Sequence, residues 1–239
     1  MKYIYGPVKS RRLGLSLGVS LTPYKICSFD CVYSQLGQTT HLTAERKVYV
    51  NTEEILNELK SWLEYNSSLA EELNYVTISG SGEPSLNTQV GALIGQIKRL
   101  VRVPVALITN SSLLVDAAVR QSLGELDLIV PSLDAVSQEI FAKIDRPYKD
   151  IKIEDIIQGL IELRKGFKGK IWLEIMLVKG VNDDLRQIKK MKEVVEQINP
   201  DKIQLNSPVR ATAQPDVLPV EKSKLGKIKE ILGDKCEIV

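Results

Sequence analysis

Histidine occurs once in these 239 residues, cysteine three times, and aromatic residues make up only 5%. With His41 alone, the chain has little material for a histidine-rich zinc site or for acid–base chemistry centred on imidazole; its setting reads as a surface loop. Three cysteines cannot staple a chain of this length as a disulfide framework. Spanning a bilayer takes about 20 consecutive apolar residues, and stretches such as Ile171 to Val178 fall far short. The N-terminus has no apolar signal-peptide core and carries Lys9, Arg11 and Arg12 instead. These absences predict a soluble cytoplasmic protein with no membrane partner. Neither sign of charge dominates: the formal net charge is +2, whereas a dedicated duplex binder carries a clear basic excess.

What the chain does have is 44% hydrophobic residues, enough for a sizeable core and too many for disorder. The length predicts one domain over residues 1–239, with a short N-terminal extension over 1–14 and a closing helix near 220–232. Six runs read as strands: Leu15–Leu21, Tyr75–Ser79, Val105–Ile108, Leu126–Val130, Ile171–Val178 and Lys202–Leu205. Helical periodicity marks Thr52–Tyr65 with Thr52 as N-cap, Val90–Leu100, Leu113–Leu123, Ser137–Ile144 with a Ser137 cap, Glu154–Leu163, Asp184–Ile198 and Val220–Leu232. Such alternation implies parallel pairing through right-handed crossovers. Six units are too few for a closed eight-stranded barrel. The predicted fold is therefore an α/β partial (β/α)6 TIM-type barrel of parallel strands, with a doubly wound open sheet as the alternative. In either, functional groups gather at the C-terminal ends of the strands. The lysines of Arg186–Lys192 and Lys222–Lys229 lie between apolar stripes and read as solvated faces.

The loop after the first strand contains Cys27-x3-Cys31-x2-Ser34, with Tyr33 before the serine. In a cytosolic α/β chain a cysteine pair so placed is more often metal-binding or redox-active than structural. At the end of the second strand stands Ser79-Gly80-Ser81-Gly82-Glu83-Pro84, where glycines allow a tight turn and a close approach of backbone to ligand. Polar groups recur at later strand ends: Thr109-Asn110-Ser111, Ser132-Leu133-Asp134, Gly180-Val-Asn-Asp183 and Asn206-Ser-Pro-Val-Arg210. Taken in order, these resemble the radical S-adenosylmethionine (radical SAM) superfamily, from residue 4 to about 220. The cysteine motif matches Cys-x3-Cys-x-aromatic-Cys except at its last position, and the glycine turn resembles Gly-Gly-Glu-Pro with Ser81 for a glycine. The opening Gly6 to Gly18 is similar to a small subgroup related to the wyosine-synthesis enzymes that modify tRNA.

That resemblance implies a [4Fe–4S] cluster held by three thiolates, with S-adenosylmethionine chelating the fourth iron. One electron then cleaves a carbon–sulfur bond to give methionine and a 5′-deoxyadenosyl radical, while the protein supplies orientation and a dry cavity. By position, Cys27 and Cys31 become cluster ligands and Tyr33 lies near the adenine. Gly80, Ser81, Gly82, Glu83 and Pro84 hold the methionine end, and Thr109, Asn110, Ser132 and Asp134 meet the ribose and carboxylate. Arg11, Arg12, Asn206 and Arg210 are weaker candidates for substrate, the arginines either gripping an anion or pairing with carboxylates. No residue is assigned as catalytic acid, base or nucleophile. A small molecule, nucleoside or peptide substrate follows, with an electron donor such as ferredoxin or flavodoxin; tRNA rests on the subgroup likeness alone.

Ser34 stands where the third thiolate belongs. A hydroxyl resists ionisation and is a hard, poor ligand beside the soft thiolates that select iron–sulfur clusters. Three origins stay open: an introduced Cys→Ser change, a natural variant completed by serine, a substrate thiolate or Cys236, and a relative that lost the cluster and kept the barrel for binding. Cys236 follows the last helix and reads as a buried free thiol.

Overall fold

The computed structural model describes all 239 residues. Ten strands form: β1 (Ile4–Ser10), β2 (Gly14–Ser20), β3 (Ile26–Cys27), β4 (His41–Leu42), β5 (Tyr75–Ser79), β6 (Val105–Thr109), β7 (Leu128–Pro131), β8 (Lys170–Met176), β9 (Lys202–Asn206) and β10 (Cys236–Ile238). Eight of them make one sheet in the order β1-β2-β5-β6-β7-β8-β9-β10, and β3 with β4 makes a two-stranded ribbon. Every pairing from β2 to β10 is parallel, and only β1 runs antiparallel to its neighbour. Helices α1 (Thr52–Tyr65), α2 (Ser67–Glu71), α3 (Val90–Leu100), α4 (Ala117–Ser122), α5 (Gln138–Ile144), α6 (Ile153–Gly166), α7 (Leu185–Ile198) and α8 (Lys222–Leu232) fill the crossovers. The fold is the expected α/β partial barrel, with strand alternation dividing its residues between two layers. Val76, Ile78, Leu107, Ile129, Leu173 and Leu205 belong to the large core shared with the helices. Ala106, Leu128 and Val130 form a smaller cluster on the other face with Leu13, bordered by Tyr75, Ile108 and Trp172.

The two ends of the chain differ from expectation. Residues 1–14 are no mere extension: β1 pairs with β2 from Ile4–Val19 to Ser10–Gly14, an edge position that tolerates Pro7. The closing helix is followed by β10, which pairs Cys236 with Ile203 near the start of β9. Arg11, just past β1, donates to the Val239 carbonyl at 3.0 Å and so links the two edges of the sheet. Helix starts also move. Asn51, not Thr52, caps α1 by accepting from the Glu53 N–H at 2.9 Å. Ser137 occupies the cap position of α5 without a side-chain cap bond. The helix expected from Leu113 begins only at Ala117, because Asp116 caps it there. No helix is long and apolar enough to cross a membrane.

Candidate functional site

The cysteine loop leaves β2 and is tied into the strand ends through its backbone. Lys25, in the left-handed region at φ 57°, donates its N–H to the Ser81 carbonyl at 3.0 Å. Its own carbonyl accepts from Thr40 and His41, and the Glu83 N–H reaches the Ile26 carbonyl at 3.1 Å. A Cβ on Gly82 would lie 1.9 Å from that Ile26 carbonyl oxygen, and one on Gly80, at φ 138°, would lie 2.6 Å from Ser20 Oγ. The bare backbone of this turn thus accommodates the protein's own cysteine loop, where the sequence suggested room for a ligand. A second strap holds the loop from the far side: Asp30 donates to the Asp145 carbonyl, Val32 to Ile144, and Tyr148 to Ser28. The segment around Asp145 carries no motif, and only its place after β7 could have drawn attention to it.

Glu83 is buried and fully engaged. Its Oε1 accepts from the Ser85 N–H (3.0 Å), Ser85 Oγ (2.6 Å) and Thr109 Oγ1 (2.7 Å), and its Oε2 from the Asn110 N–H (2.7 Å). Burial still pushes its carboxyl above the ordinary range against these donors. Glu83 and Thr109 therefore brace β5 to β6, while the Asn110 side chain faces the loop, 3.5 Å from Cys27 Sγ and 2.9 Å from Ser28 Oγ. Pro84 opens a single 3₁₀ turn behind them. On the other side, Tyr33 donates to Asp134, whose second oxygen accepts from the Met176 N–H at 2.7 Å. Cys31 donates to Asp145 at 3.4 Å. Burial raises Asp134 to about 7, and Tyr33 and Asp145 well above their ordinary values, the Asp134 charge adding to both. Asn110, Ser132 and Asp134 line a small cavity between Tyr33, Phe29 and Phe141, the two phenylalanine rings meeting edge to face at 5.3 Å.

The weaker substrate candidates separate. Arg12 pairs with Glu174 of β8, and Asn206 donates to the other oxygen of that carboxylate at 3.3 Å. Arg11 contacts Asn206 at 3.4 Å. Three of the four thus share one internal network around Glu174, which carries no motif. Arg210 is exposed and reaches Gln35, next to Ser34, at 3.3 Å. His41 is exposed in β4.

Donor chemistry decides how far this loop fits an iron–sulfur cluster. Both thiols are pushed up by burial, Cys27 to about 11 and Cys31 well above its usual value, with the Glu83 charge adding at Cys27 and the Asp145 charge at Cys31. Iron would have to displace those protons. At the third corner, Ser34 Oγ accepts from the Lys25 ammonium at 3.0 Å. No third histidine, cysteine, aspartate or glutamate completes a metal-binding group. Cys236 is buried beside Ile203, at the strand end opposite Asn206. The loop fits two corners of a cluster. It does not fit ligation by three thiolates of this chain.

Comparison with known proteins agrees with the architecture. The family model described as the radical SAM superfamily matches residues 21–191. The chain is 33% identical to a UPF0026 protein of Methanocaldococcus jannaschii, covering 98% of this chain and 72% of that one. It is 38% identical to a Brachyspira hyodysenteriae protein named GTPase Obg, of whose length it spans 34%. A radical SAM methyltransferase from Sphaerobacter thermophilus superposes with a TM-score of 0.72 at 14% identity, over 94% of this chain and 65% of that chain. Streptococcus suis SuiB, solved with S-adenosylmethionine bound, superposes at 0.66 and 13% identity, over 93% and 49%. A cysteine loop spliced to a glycine turn at the strand ends of a partial barrel, with a family match over most of its length, makes this chain a member of the radical SAM superfamily.

Proposed function

We propose that the chain is a single-domain radical SAM enzyme that binds S-adenosylmethionine where the strand ends meet the cysteine loop. The observation that carries this reading is the double splice of Lys25 to Ser81 and Glu83 to Ile26, which sets two thiols beside the glycine turn. A [4Fe–4S] cluster bound there supplies the one electron that opens a carbon–sulfur bond of S-adenosylmethionine. The chain's own groups do the rest. Cys27 and Cys31 give two ligands, and Asn110 points its amide at the first of them. Glu83 fixes the wall behind Asn110, and Tyr33 with Asp134 lines the small cavity beside the loop. A nucleoside, small-molecule or peptide substrate enters from the strand-end side, and an electron donor such as ferredoxin or flavodoxin serves the loop. Anaerobic reconstitution with iron and sulfide, followed by reduction, tests this. The Ser34→Cys form should turn brown and cleave S-adenosylmethionine, and a form that does neither ends the proposal.

The Lys25–Ser34 contact favours a second reading, in which the barrel holds an adenosyl ligand without cleaving it. Calorimetry separates the two. Tight S-adenosylmethionine binding by metal-free protein supports the second reading, and binding only after iron loading removes it.

A further inference from the structure

The inner face of the barrel carries an aromatic ring and a hydrogen-bond acceptor that the proposed function leaves unused. Leu17 and Val19 belong to the core beneath the helices, so Gly18 between them faces inward. Tyr5, its partner across β1 and β2, points to the same face. A Cβ on Gly18 would come within 2.1–2.5 Å of three carbons of the Tyr5 ring, so the glycine lets that ring lie against the bare strand. The Tyr5 hydroxyl is hydrogen-bonded to Ser79 Oγ, one residue before the glycine turn. With one ring face against Gly18, the 40% of Tyr5 that is exposed belongs to its other face and its edge. A ring pinned in this way, with an open face, is a platform on which another planar group can stack at little cost in conformational entropy.

On the far side of the barrel, Glu174, Gln204 and Glu237 form one inward-facing row over β8, β9 and β10. Gln204 is fully buried. Its Nε2 donates to Glu237 at 3.4 Å, and its Oε1 has no donor. Turning the amide over does not help, because both neighbours in the row are carboxylates and one amide nitrogen stands between them. Each carboxylate already has its cation, Arg12 for Glu174 and Lys202, at 3.1 Å, for Glu237. A buried acceptor left unmade is costly; with these charges balanced, the donor that suits it is a neutral N–H. Between platform and row the same face is apolar, where Ala106, Leu128 and Val130 meet Leu13. We propose that the barrel interior binds a nucleobase bearing an exocyclic amino group, its ring stacked on Tyr5 and its amino hydrogens taken by Gln204 and Glu174. Carboxylates and side-chain amides read the amino groups of cytosine and adenine in the same way, and aromatic rings hold unpaired bases by stacking. Arg12, a quarter exposed at the tip between β1 and β2, shifts to admit the base. That this ligand is a substrate rests on the proposed function; its binding calls for no metal.

Calorimetric titration of the metal-free full chain tests the inference, with cytidine against uridine and adenosine against inosine as probes. Each pair exchanges an amino group for an oxo group, and the amino member should bind roughly tenfold more tightly. Tyr5→Leu should weaken cytidine about tenfold, while Tyr5→Phe, which keeps the ring, should weaken it less than about threefold. Gln204→Met replaces the amide by an apolar chain of similar shape. It should weaken cytidine about tenfold and leave uridine unchanged, a split that a general loosening of the fold does not produce. Equal affinity within both pairs, or no saturable binding of cytidine and adenosine up to about 10 mM, overturns the inference. So does a Gln204→Met form that keeps the full preference for cytidine. Binding of adenosine alone, abolished by S-adenosylmethionine, would put the base in the adenosyl site and overturn it as well. If the pairs separate but Ser34→Cys leaves S-adenosylmethionine intact, the proposed function fails and the nucleobase site stands. If S-adenosylmethionine is cleaved and the pairs do not separate, the site fails and the proposed function stands.

Discussion

The two sides of the strand-end mouth bury carboxylates in opposite ways. On the β5–β6 side, Glu83 takes four hydrogen bonds from Ser85, Thr109 and Asn110. On the β7–α5 side, Asp134 and Asp145 share the Tyr33 hydroxyl, Cys31 donates to Asp145, and Asp134 has a single main-chain donor from Met176. A buried carboxylate with enough donors is a brace. Two buried with too few donors become a place where protons are kept, because burial disfavours their charged forms, with the Glu174 charge adding at Asp134 and the Asp134 charge adding at Asp145. One wall of the mouth is thus a hydrogen-bonded brace, and the other holds two buried carboxylates whose affinity for protons is raised.

Removing the brace should have the largest effect. Glu83→Ala leaves the Thr109 hydroxyl, the Ser85 hydroxyl and two N–H groups buried without an acceptor. At about 1–3 kcal/mol for each orphaned group, partly recovered by relaxation, the loss should reach roughly 4 kcal/mol. Chemical denaturation of the metal-free protein measures it. A loss below about 1 kcal/mol would mean that the two walls do not differ.

Next comes the internal network that borders the Asp134 side. Arg12 and Glu174 are both largely buried, with side chains 25% and 9% exposed. Breaking such a pair by removing one partner costs about 3–5 kcal/mol when burial is complete. The partial exposure of Arg12 reduces that to about 2–3 kcal/mol for Arg12→Met. Since the Glu174 charge already helps to raise Asp134, losing Arg12 should push the Asp134 carboxyl higher still. Infrared titration of the carboxyl band would detect the shift.

The strand–helix alternation was legible because burial on both faces leaves continuous apolar runs such as Ile171 to Val178, and six of the seven parallel strands of the main sheet followed from it. The edges were not. Pro7 interrupts β1, and β10 is three residues long, so neither carries a periodic signal. In the site, motif order placed Cys27, Cys31, Asn110 and Asp134 around one mouth. Spacing could not show that Glu83 and Thr109 point into a brace, or that Gly82 makes way for Ile26. Lys25, Asp145 and Glu174 were missed for a shared reason. Each acts through a contact distant in sequence or created by a backbone turn, and charge at an isolated position reads as surface.

The proton-keeping wall predicts a pH effect of intermediate size. Asp134 sits near 7 in the folded chain against 3.8 for the ordinary side chain. The folded state therefore binds a proton that the unfolded chain has released between about pH 4 and pH 7. Stability from this group is intact below pH 4, declines as pH rises through that window, and is lowest above 7. Metal-free protein should be about 1–3 kcal/mol less stable at pH 8 than at pH 5 on this account. Asp134→Asn should flatten the curve while keeping an acceptor for the Met176 N–H. A curve unchanged in the variant would remove Asp134 as the source.

The smallest expected effect concerns the thiol that lies on neither wall. Cys236 is buried in β10, its thiol raised to about 11 by burial. Its partner Ile203 lies three residues before Asn206 along β9. At about 3.3 Å per residue, that is roughly 10 Å short of the strand end. Cys236→Ala removes one buried sulfur and should cost about 1 kcal/mol, in line with a small core truncation. Iron retained after reconstitution should be unchanged. If iron fell in parallel with the Cys27→Ala and Cys31→Ala forms, Cys236 would have to reach the loop. The parallel register that fixes β10 beside β9 forbids that without unpairing the edge strand.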